Sequence, residues 1–377
     1  MDRPDLGADI EKMTAYCTYC PKMCRFSCPA AAAEGRETVT PWGMMRLLEL
    51  ARDGSVELDD EVADIFHHCT GCRRCQTWCK HGNDVPRALW KARRWAAEQG
   101  FMPPQLASLL DHFDAHDRPF DQPPPEVDDT PFDESAGLAY WPDCSTAQNH
   151  PHLVGAVGRL LEKVTGSKVR LIRSEDTGAT PCCGFPLSAA GLEESETIRA
   201  ERWPAFAGVE RVVTDCAALA AWNRPDSSWP MEPRAGDPEV EHIFGLLAKE
   251  LPQLTATDPI DGADSLLHHS CYSARQLEGV DQVHTIIAQI YETPPAAMAY
   301  DGDESPCCGG RHHYRALEPD SAKEAARRVL NSMDRRDDAS SMVTTSSNCR
   351  CALSDADDQK QVTSLLELVC QAYGCLE

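Results

Sequence analysis

The stretch Pro181-Cys182-Cys183-Gly184 returns as Pro306-Cys307-Cys308-Gly309. Its surroundings return with it. A short apolar run closes on a cysteine before each pair: residues 138–141 before Cys144, and Leu266 and Leu267 before Cys271. A helical stretch comes next in each copy, 153–164 (LVGAVGRLLEKV) and 283–291 (VHTIIAQIY). Beyond each pair a β-rich run closes on another cysteine: 209–215 before Cys216, and 341–345 before Cys349. The first cysteine and the pair are 38 residues apart in one copy and 36 in the other; the pair and the closing cysteine are 33 and 41 apart. Such spacing predicts two copies of one supersecondary unit. Short strands alternating with helices predict small parallel sheets. Ligands collect at the carboxyl ends of strands in such units, where these cysteines fall.

Upstream lie two denser runs, Cys17-x2-Cys20-x3-Cys24-x3-Cys28-Pro29 and Cys69-x2-Cys72-x2-Cys75-x3-Cys79. A cubane 4Fe–4S cluster needs four thiolates converging on one point. Closely spaced cysteines curl around it, and in two-cluster ferredoxins the fourth cysteine of each run serves the other cluster. By that rule Cys17, Cys20, Cys24 and Cys79 hold one cluster, and Cys69, Cys72, Cys75 and Cys28 hold the other. The fit has two departures: the first run has an extra residue before Cys24, and Lys80 stands where a proline usually follows. Structural zinc is the competing reading, but it favours cysteine pairs separated by a longer loop. Helices at 44–51 (MMRLLELA) and 85–98 (VPRALWKARRWAAE) would clamp the module.

The expected class is therefore α+β multidomain: an N-terminal helical two-cluster ferredoxin module followed by two repeated α/β cysteine-rich domains. Expected bounds are 1–100 for the first module, 101–135 for a Pro- and Asp-rich linker wrapping the surface, and 136–260 and 261–377 for the repeats. A C-terminal helix is expected at 363–373, carrying Cys370 as a small packing residue.

The chain has 377 residues, 42% of them hydrophobic, with a formal net charge of −24 and a pI near 4.9. That charge argues against nucleic acid or an anionic membrane surface as the main partner. The first eleven residues are polar and acidic, with no signal-peptide pattern, and no apolar run is long enough to span a bilayer. The expectation is a cytoplasmic protein, membrane-associated at most through a partner. Its nineteen cysteines then read as metal ligands or redox groups and not as disulfides. No G-x-G-x-x-G stands between a strand and a helix, and there is no Walker loop or nucleophile elbow. Flavin or nicotinamide chemistry would fall to a partner subunit.

Two dense cysteine runs followed by two Cys…Cys-Cys-Gly…Cys repeats resemble the heterodisulfide reductase group of iron–sulfur proteins. That group includes the catalytic subunit of heterodisulfide reductase. It also includes the iron–sulfur subunits of glycolate oxidase, of anaerobic glycerol-3-phosphate dehydrogenase and of lactate-utilisation systems. The resemblance implies a further, non-cubane 4Fe–4S cluster in each CCG repeat, held by five cysteines and closing on Cys-x2-Cys. This chain departs from that pattern. Cys216 is followed by Ala217, Ala218 and Leu219, so the first repeat offers only Cys144, Cys182, Cys183 and Cys216. The second closes as Cys349-Arg350-Cys351 and offers Cys271, Cys307, Cys308, Cys349 and Cys351.

The residues alone leave more open. Adjacent cysteines can bridge two irons, bind zinc with one or two others, or form a strained vicinal disulfide. The glycine after each pair is expected to let backbone approach a cluster. The second repeat, with five thiols, is the expected catalytic site, with Gly309, Gly310, His312 and His313 forming a tight polar pocket. His67, His68, His268 and His269 read mainly as surface residues, or as groups tuning nearby clusters.

Two functions follow as expectations. One is an oxidoreductase subunit passing electrons through two cubanes to or from a CCG-domain site that reduces a disulfide or quinone. The other is a pure electron-transfer subunit of a flavin-dependent 2-hydroxy acid dehydrogenase of glycolate or lactate type. Both imply a flavoprotein partner, with a membrane cytochrome or quinone beyond it. A zinc-binding scaffold leaves the two dense runs unexplained.

Overall fold

A computed structural model describes residues 5–116, 118–120, 122–123, 125–174, 179–202, 206–229, 238–310, 312–335 and 339–376. The first residues of the chain and Asp121 and Pro124 of the Pro- and Asp-rich stretch lie outside the described residues.

The N-terminal module is helical: α1 (Ala8–Thr18), α2 (Pro29–Glu34), α3 (Pro41–Arg52), α4 (Asp60–His67), α5 (Arg74–Thr77) and α6 (Val85–Glu98). Side-chain caps fix where the longer helices begin. Thr40 accepts from the Gly43 amide at 3.0 Å, Asp59 from Val62 at 2.9 Å and Asp84 from Arg87 at 3.1 Å. Pro41 and Pro86 sit in first turns, where a missing N–H is harmless. The apolar faces of α3, α4 and α6 meet over Met44, Met45, Leu48, Phe66, Leu89 and Trp95. Cys17 lies in the last turn of α1 and Cys75 in α5, and the other cysteines of both runs lie on the loops and turns this core holds in place.

The 101–135 stretch is not a bare linker. It carries α7 (Pro104–His116), which buries Leu106 and Phe113 against Cys182, Leu187 and Leu192 of the first repeat. Leu106, Leu109, Leu110 and Phe113 stand at i, i+3, i+4 and i+7, a helical period hidden by the Pro- and Asp-rich composition of the stretch as a whole, and Leu109 and Leu110 pack partly buried beside the other two.

Among the described residues ten strands follow: β1 (Leu138–Trp141), β2 (Val169–Leu171), β3 (Arg211–Thr214), β4 (Glu239–His242), β5 (Ile260–Asp261), β6 (Ser265–His268), β7 (Tyr291–Thr293), β8 (Ala296–Ala297), β9 (Ser341–Thr344) and β10 (Gln361–Ser364). The first sheet runs β2-β1-β3-β4 and the second β8-β6-β9-β10, all parallel. The strand order is the same in both, as an internal duplication requires. β5 and β7 form a small separate ribbon.

The two sheets share one core. Tyr140, Val157 and Leu161 of the first repeat pack in the same cluster as Leu267, Ile286, Ile290 and Val343 of the second. Cys370 and Cys375 are buried in it as apolar residues. The expected C-terminal helix begins later than read, because residues 361–364 form β10 and the helix spans Leu365–Ala372, capped by Ser364. Among the described residues no helix is long and apolar enough to cross a membrane.

Candidate metal centres

The eight N-terminal cysteines gather in two groups. Cys17, Cys20, Cys24 and Cys79 are close enough for the charge of each to act on the others. Cys28 joins Cys69, Cys72 and Cys75 in the same way. The groups adjoin, since Cys24 also acts on Cys75. Burial, and then the neighbouring thiols, pushes Cys17 up to about 11 and Cys24 up to about 12. Four crowded thiols resist ionising together unless positive charge lies among them. An iron–sulfur core supplies such a centre, so the donor sets fit it.

The loop carrying Cys69 and Cys72 is held by its backbone. Arg93 Nη2 donates to the Cys69 carbonyl at 2.7 Å and Arg93 Nε to Phe66 at 2.8 Å. Gln276 donates to the Gly71 carbonyl at 3.1 Å, and Arg275 to that of Cys72. His313 is buried and lies 3.2 Å from the Cys69 carbonyl. Gly71 has φ +76°, and a Cβ there would sit 2.6 Å from the Trp229 ring and 2.7 Å from Tyr272 Oη. The Gly71 amide is 3.4 Å from Cys69 Sγ. In the other group, Asn83 Nδ2 donates to Cys17 Sγ at 3.2 Å. Such N–H donors favour negative sulfur and tune reduction potential. The sequence reading missed Arg93, Arg275, Gln276 and Asn83. Arg93 alone carried a signal: it sits four residues after Leu89, on the apolar face of α6.

In the repeats, Cys144 and Cys271 each lie three residues past the end of a central strand, β1 and β6. Cys144 is within hydrogen-bond reach of Cys182 and close to Cys183, and Cys216 is close to Cys144 and Cys183. In the second repeat Cys271 Sγ is 3.8 Å from Cys307 Sγ, and Cys308 Sγ is 3.2 Å from Cys349 Sγ. None of the nineteen cysteines is in a disulfide.

Cys351 is not part of that set, which corrects the expected five-thiol site. Cys349 and Cys351 share the helix Ser347–Ala356, and two residues turn a side chain to the other face. Cys351 Sγ instead lies 3.9 Å from His150 Nε2 of the first repeat. Each repeat therefore gathers four thiols.

The glycines after the pairs also act differently from expectation. Gly309 has φ +71°, and its absent Cβ makes room for Ala322 and Ala325 of the helix Pro319–Leu330. It is Gly310 whose Cβ would crowd Cys308 Sγ, at 3.2 Å.

The two repeats differ in access. The cavity at Cys271, Cys307, Cys308 and Cys349 is only about 30 Å³. Beside Cys144 and Cys182 opens a pocket of about 420 Å³, bordered by Arg118, Arg173, Glu126 and Asp129. Ligand pockets for organic molecules begin near about 300 Å³. The four thiols of the second repeat are buried and touch the first module: Cys72 and Cys307 are within hydrogen-bond reach, and Thr70 Oγ1 is 3.7 Å from Cys307 Sγ.

The histidines read as surface residues are not. His67, His68, His268 and His269 are all buried. His68 lies between Glu34, at 2.9 Å, and Asp64, at 3.1 Å. His268 reaches Thr344 and the Pro306 carbonyl, both at 2.9 Å, fixing the turn into Cys307. The side chain of His312 lies outside the described residues.

Two four-thiol groups in a helical module, joined to two thiol-bearing parallel sheets, define an iron–sulfur electron-transfer protein. Comparison with known proteins agrees. Residues 13–83 match the 4Fe-4S dicluster domain family, and residues 138–218 and 265–354 each match the Cysteine-rich domain family, CCG. The chain thus carries a 4Fe-4S dicluster domain, with two 4Fe–4S clusters in its N-terminal module, followed by two CCG cysteine-rich domains. Among curated proteins it is similar to the probable glycolate oxidase iron-sulfur subunit of Bacillus subtilis (strain 168), 35% identical over 71 residues. That match covers 19% of this chain and 16% of the relative.

Proposed function

We propose that the chain is the electron-transfer subunit of a flavoprotein oxidoreductase that oxidises a 2-hydroxy acid. The contact between Cys72 and Cys307 carries this reading, because it joins the dicluster module to the second repeat. Cys17, Cys20, Cys24 and Cys79 would hold one cluster, and Cys28, Cys69, Cys72 and Cys75 the other. Cys271, Cys307, Cys308 and Cys349 would hold a third, and Cys144, Cys182, Cys183 and Cys216 a fourth. Bound clusters supply one-electron exchange. The chain's own residues hold the thiols in register and bury most of them. The thiols of the second repeat are buried and Cys307 lies beside Cys72, which suits a relay.

The flavin belongs to a partner subunit in this proposal. The relative's printed role as a glycolate oxidase iron-sulfur subunit supports that, as does the absence of a dinucleotide fingerprint in the sequence. The acceptor beyond the chain would be a quinone or a membrane cytochrome, with the chain itself in the cytoplasm.

A second reading makes a repeat the site of disulfide or quinone reduction. The opening of about 420 Å³ favours it, and moves the chemistry from Cys307 and Cys308 to Cys144 and Cys182. One experiment separates the two. The chain is isolated anaerobically from its own cells with bound partners and given a 2-hydroxy acid such as glycolate or lactate. Bleaching of its visible absorbance only in the presence of a flavin-bearing partner is the expected result. A flavin that is reduced while the chain's absorbance stays unchanged would overturn the proposal. Reoxidation of the isolated, reduced chain by a disulfide, abolished in Cys182→Ser, would support the second reading.

A further inference from the structure

The second repeat also gathers ligating side chains away from its thiols. His269 follows β6 directly, His284 lies on the helix Val280–Ile290, and Asp301 precedes the turn Gly302–Glu304. Their donor atoms all lie within 4.8 Å of one another. His269 Nε2 is 3.4 Å from Asp301 Oδ1, and the two imidazole rings are 5.4 Å apart. The His269 side chain has no exposed surface. Among the described residues neither of its ring nitrogens makes a hydrogen bond and Asp301 Oδ1 makes none, the 3.4 Å approach between them being an ion-pair contact alone. Buried polar atoms left this way are destabilising and need a reason.

We propose that His269, His284 and Asp301 bind one divalent transition-metal ion of the zinc class. Two imidazoles and a carboxylate are the donors zinc takes, and imidazole ligation disfavours magnesium and calcium. A fourth position is left to water. His284 is exposed, so the ion has a path from solvent. The proposal is independent of what the thiol sets hold, since none of the three ligands is a cysteine.

The position gives the ion a structural consequence. The loop after Asp301 is tied to the dicluster module: Arg74 Nε donates to the Glu304 carbonyl at 2.8 Å. Arg275 Nη1 donates to the Asp303 and Ser305 carbonyls at 2.8 Å each, while its Nε reaches Cys72. An ion joining Asp301 to the end of β6 would pin this loop, and with it the seam where Cys72 meets Cys307.

The test uses the full, cluster-loaded chain, isolated anaerobically and cleared of loosely bound metal. Zinc is titrated in and counted after desalting, and its neighbours are read by X-ray absorption at the zinc edge. The expected result is one zinc per chain, with nitrogen and oxygen neighbours at about 2.0–2.1 Å. His284→Ala should keep its iron and lose at least about tenfold in zinc affinity. Asp301→Asn should show the same loss, so the test survives if one variant folds poorly. Sulfur neighbours at about 2.3 Å would place the zinc on the thiols and overturn the proposal. So would unchanged affinity in both variants, or no retained zinc.

Discussion

Cys72 of the dicluster module lies within hydrogen-bond reach of Cys307 in the second repeat. The modules are joined there by more than this pair. Arg275 and Gln276, from the second repeat, hold the carbonyls of Cys72 and Gly71. Cys307 Sγ faces Thr70 as well. The thiol set of the second repeat and the second group of the dicluster module are thus one continuous buried region. The first repeat, whose thiols border an open pocket, is the part that faces outward.

This arrangement separates two cysteines that the sequence places together. Cys307→Ser removes a member of a four-thiol set, and should lower the iron of anaerobically isolated protein by about four per chain. Cys351→Ser should leave iron and sulfide unchanged, because Cys351 faces His150 and not Cys349. Equal iron loss in both variants would show that the helix Ser347–Ala356 turns to offer both thiols.

Gly71, in the loop that carries Cys69 and Cys72, has no room for a side chain. Its φ of +76° disfavours any side chain, and a Cβ would press on Trp229 and Tyr272. Gly71→Ala should destabilise the dicluster module by about 2–4 kcal/mol. Faster proteolysis within the loop joining α4 to α5, with early loss of half the module's iron, is the expected readout. A Gly71→Ala protein as protease-resistant as the parent would mean that Trp229 moves aside freely.

Much of the fold was legible because its signals were local. The twin Pro-Cys-Cys-Gly stretches marked the duplication, and the two sheets have matching strand order. Helix α6 had an apolar period with Asp84 and Pro86 at its start. Helix α7 was legible but missed: Leu106, Leu109, Leu110 and Phe113 keep a helical period, and the Pro- and Asp-rich composition of residues 101–135 drew the reading to a linker instead. At the thiol sites the sequence supplied spacing but not direction. Counting Cys351 as a fifth thiol ignored the helix that carries it. Nor could spacing show that His269 would be buried beside His284 and Asp301, since those residues meet only across the fold.

His242 gives the chain an acid sensitivity distant from the thiol runs in sequence. It caps the helix Ile243–Glu250, its Nδ1 accepting from the Phe244 amide at 3.4 Å. Burial holds it down to about 4, against about 6.5 in an unfolded chain. Between those values the unfolded chain takes up a proton and the folded chain does not. Stability therefore falls as pH drops from about 6.5 towards about 4. The loss by about pH 5.5 is about 1 kcal/mol. Native-state hydrogen exchange in that helix measures it locally, which suits a chain of several modules. His242→Asn keeps a capping acceptor and should flatten the dependence between about pH 7.5 and about pH 5.5. An unchanged slope would assign the acid sensitivity to other groups.

Arg93 places a buried guanidinium beside the second thiol group. Its three nitrogens satisfy the carbonyls of Phe66, Cys69 and Ala189, so it links α4, the cysteine loop and the first repeat. Arg93→Met preserves length and apolar bulk but leaves those carbonyls unpaired, at about 1–3 kcal/mol for each that water cannot reach. The positive charge near Cys69 also favours electron-rich sulfur, so its removal should make the neighbouring centre harder to reduce. The two effects are separable. Thermal denaturation reads the packing loss, and a redox titration followed by paramagnetic resonance reads the potential. A lower melting temperature with an unchanged potential would leave Arg93 as a structural strut alone. A shift of one dicluster signal to more negative potential, with the other unmoved, is the expected outcome, because Arg93 contacts the loop of Cys69 while Cys17, Cys20, Cys24 and Cys79 gather as a separate group.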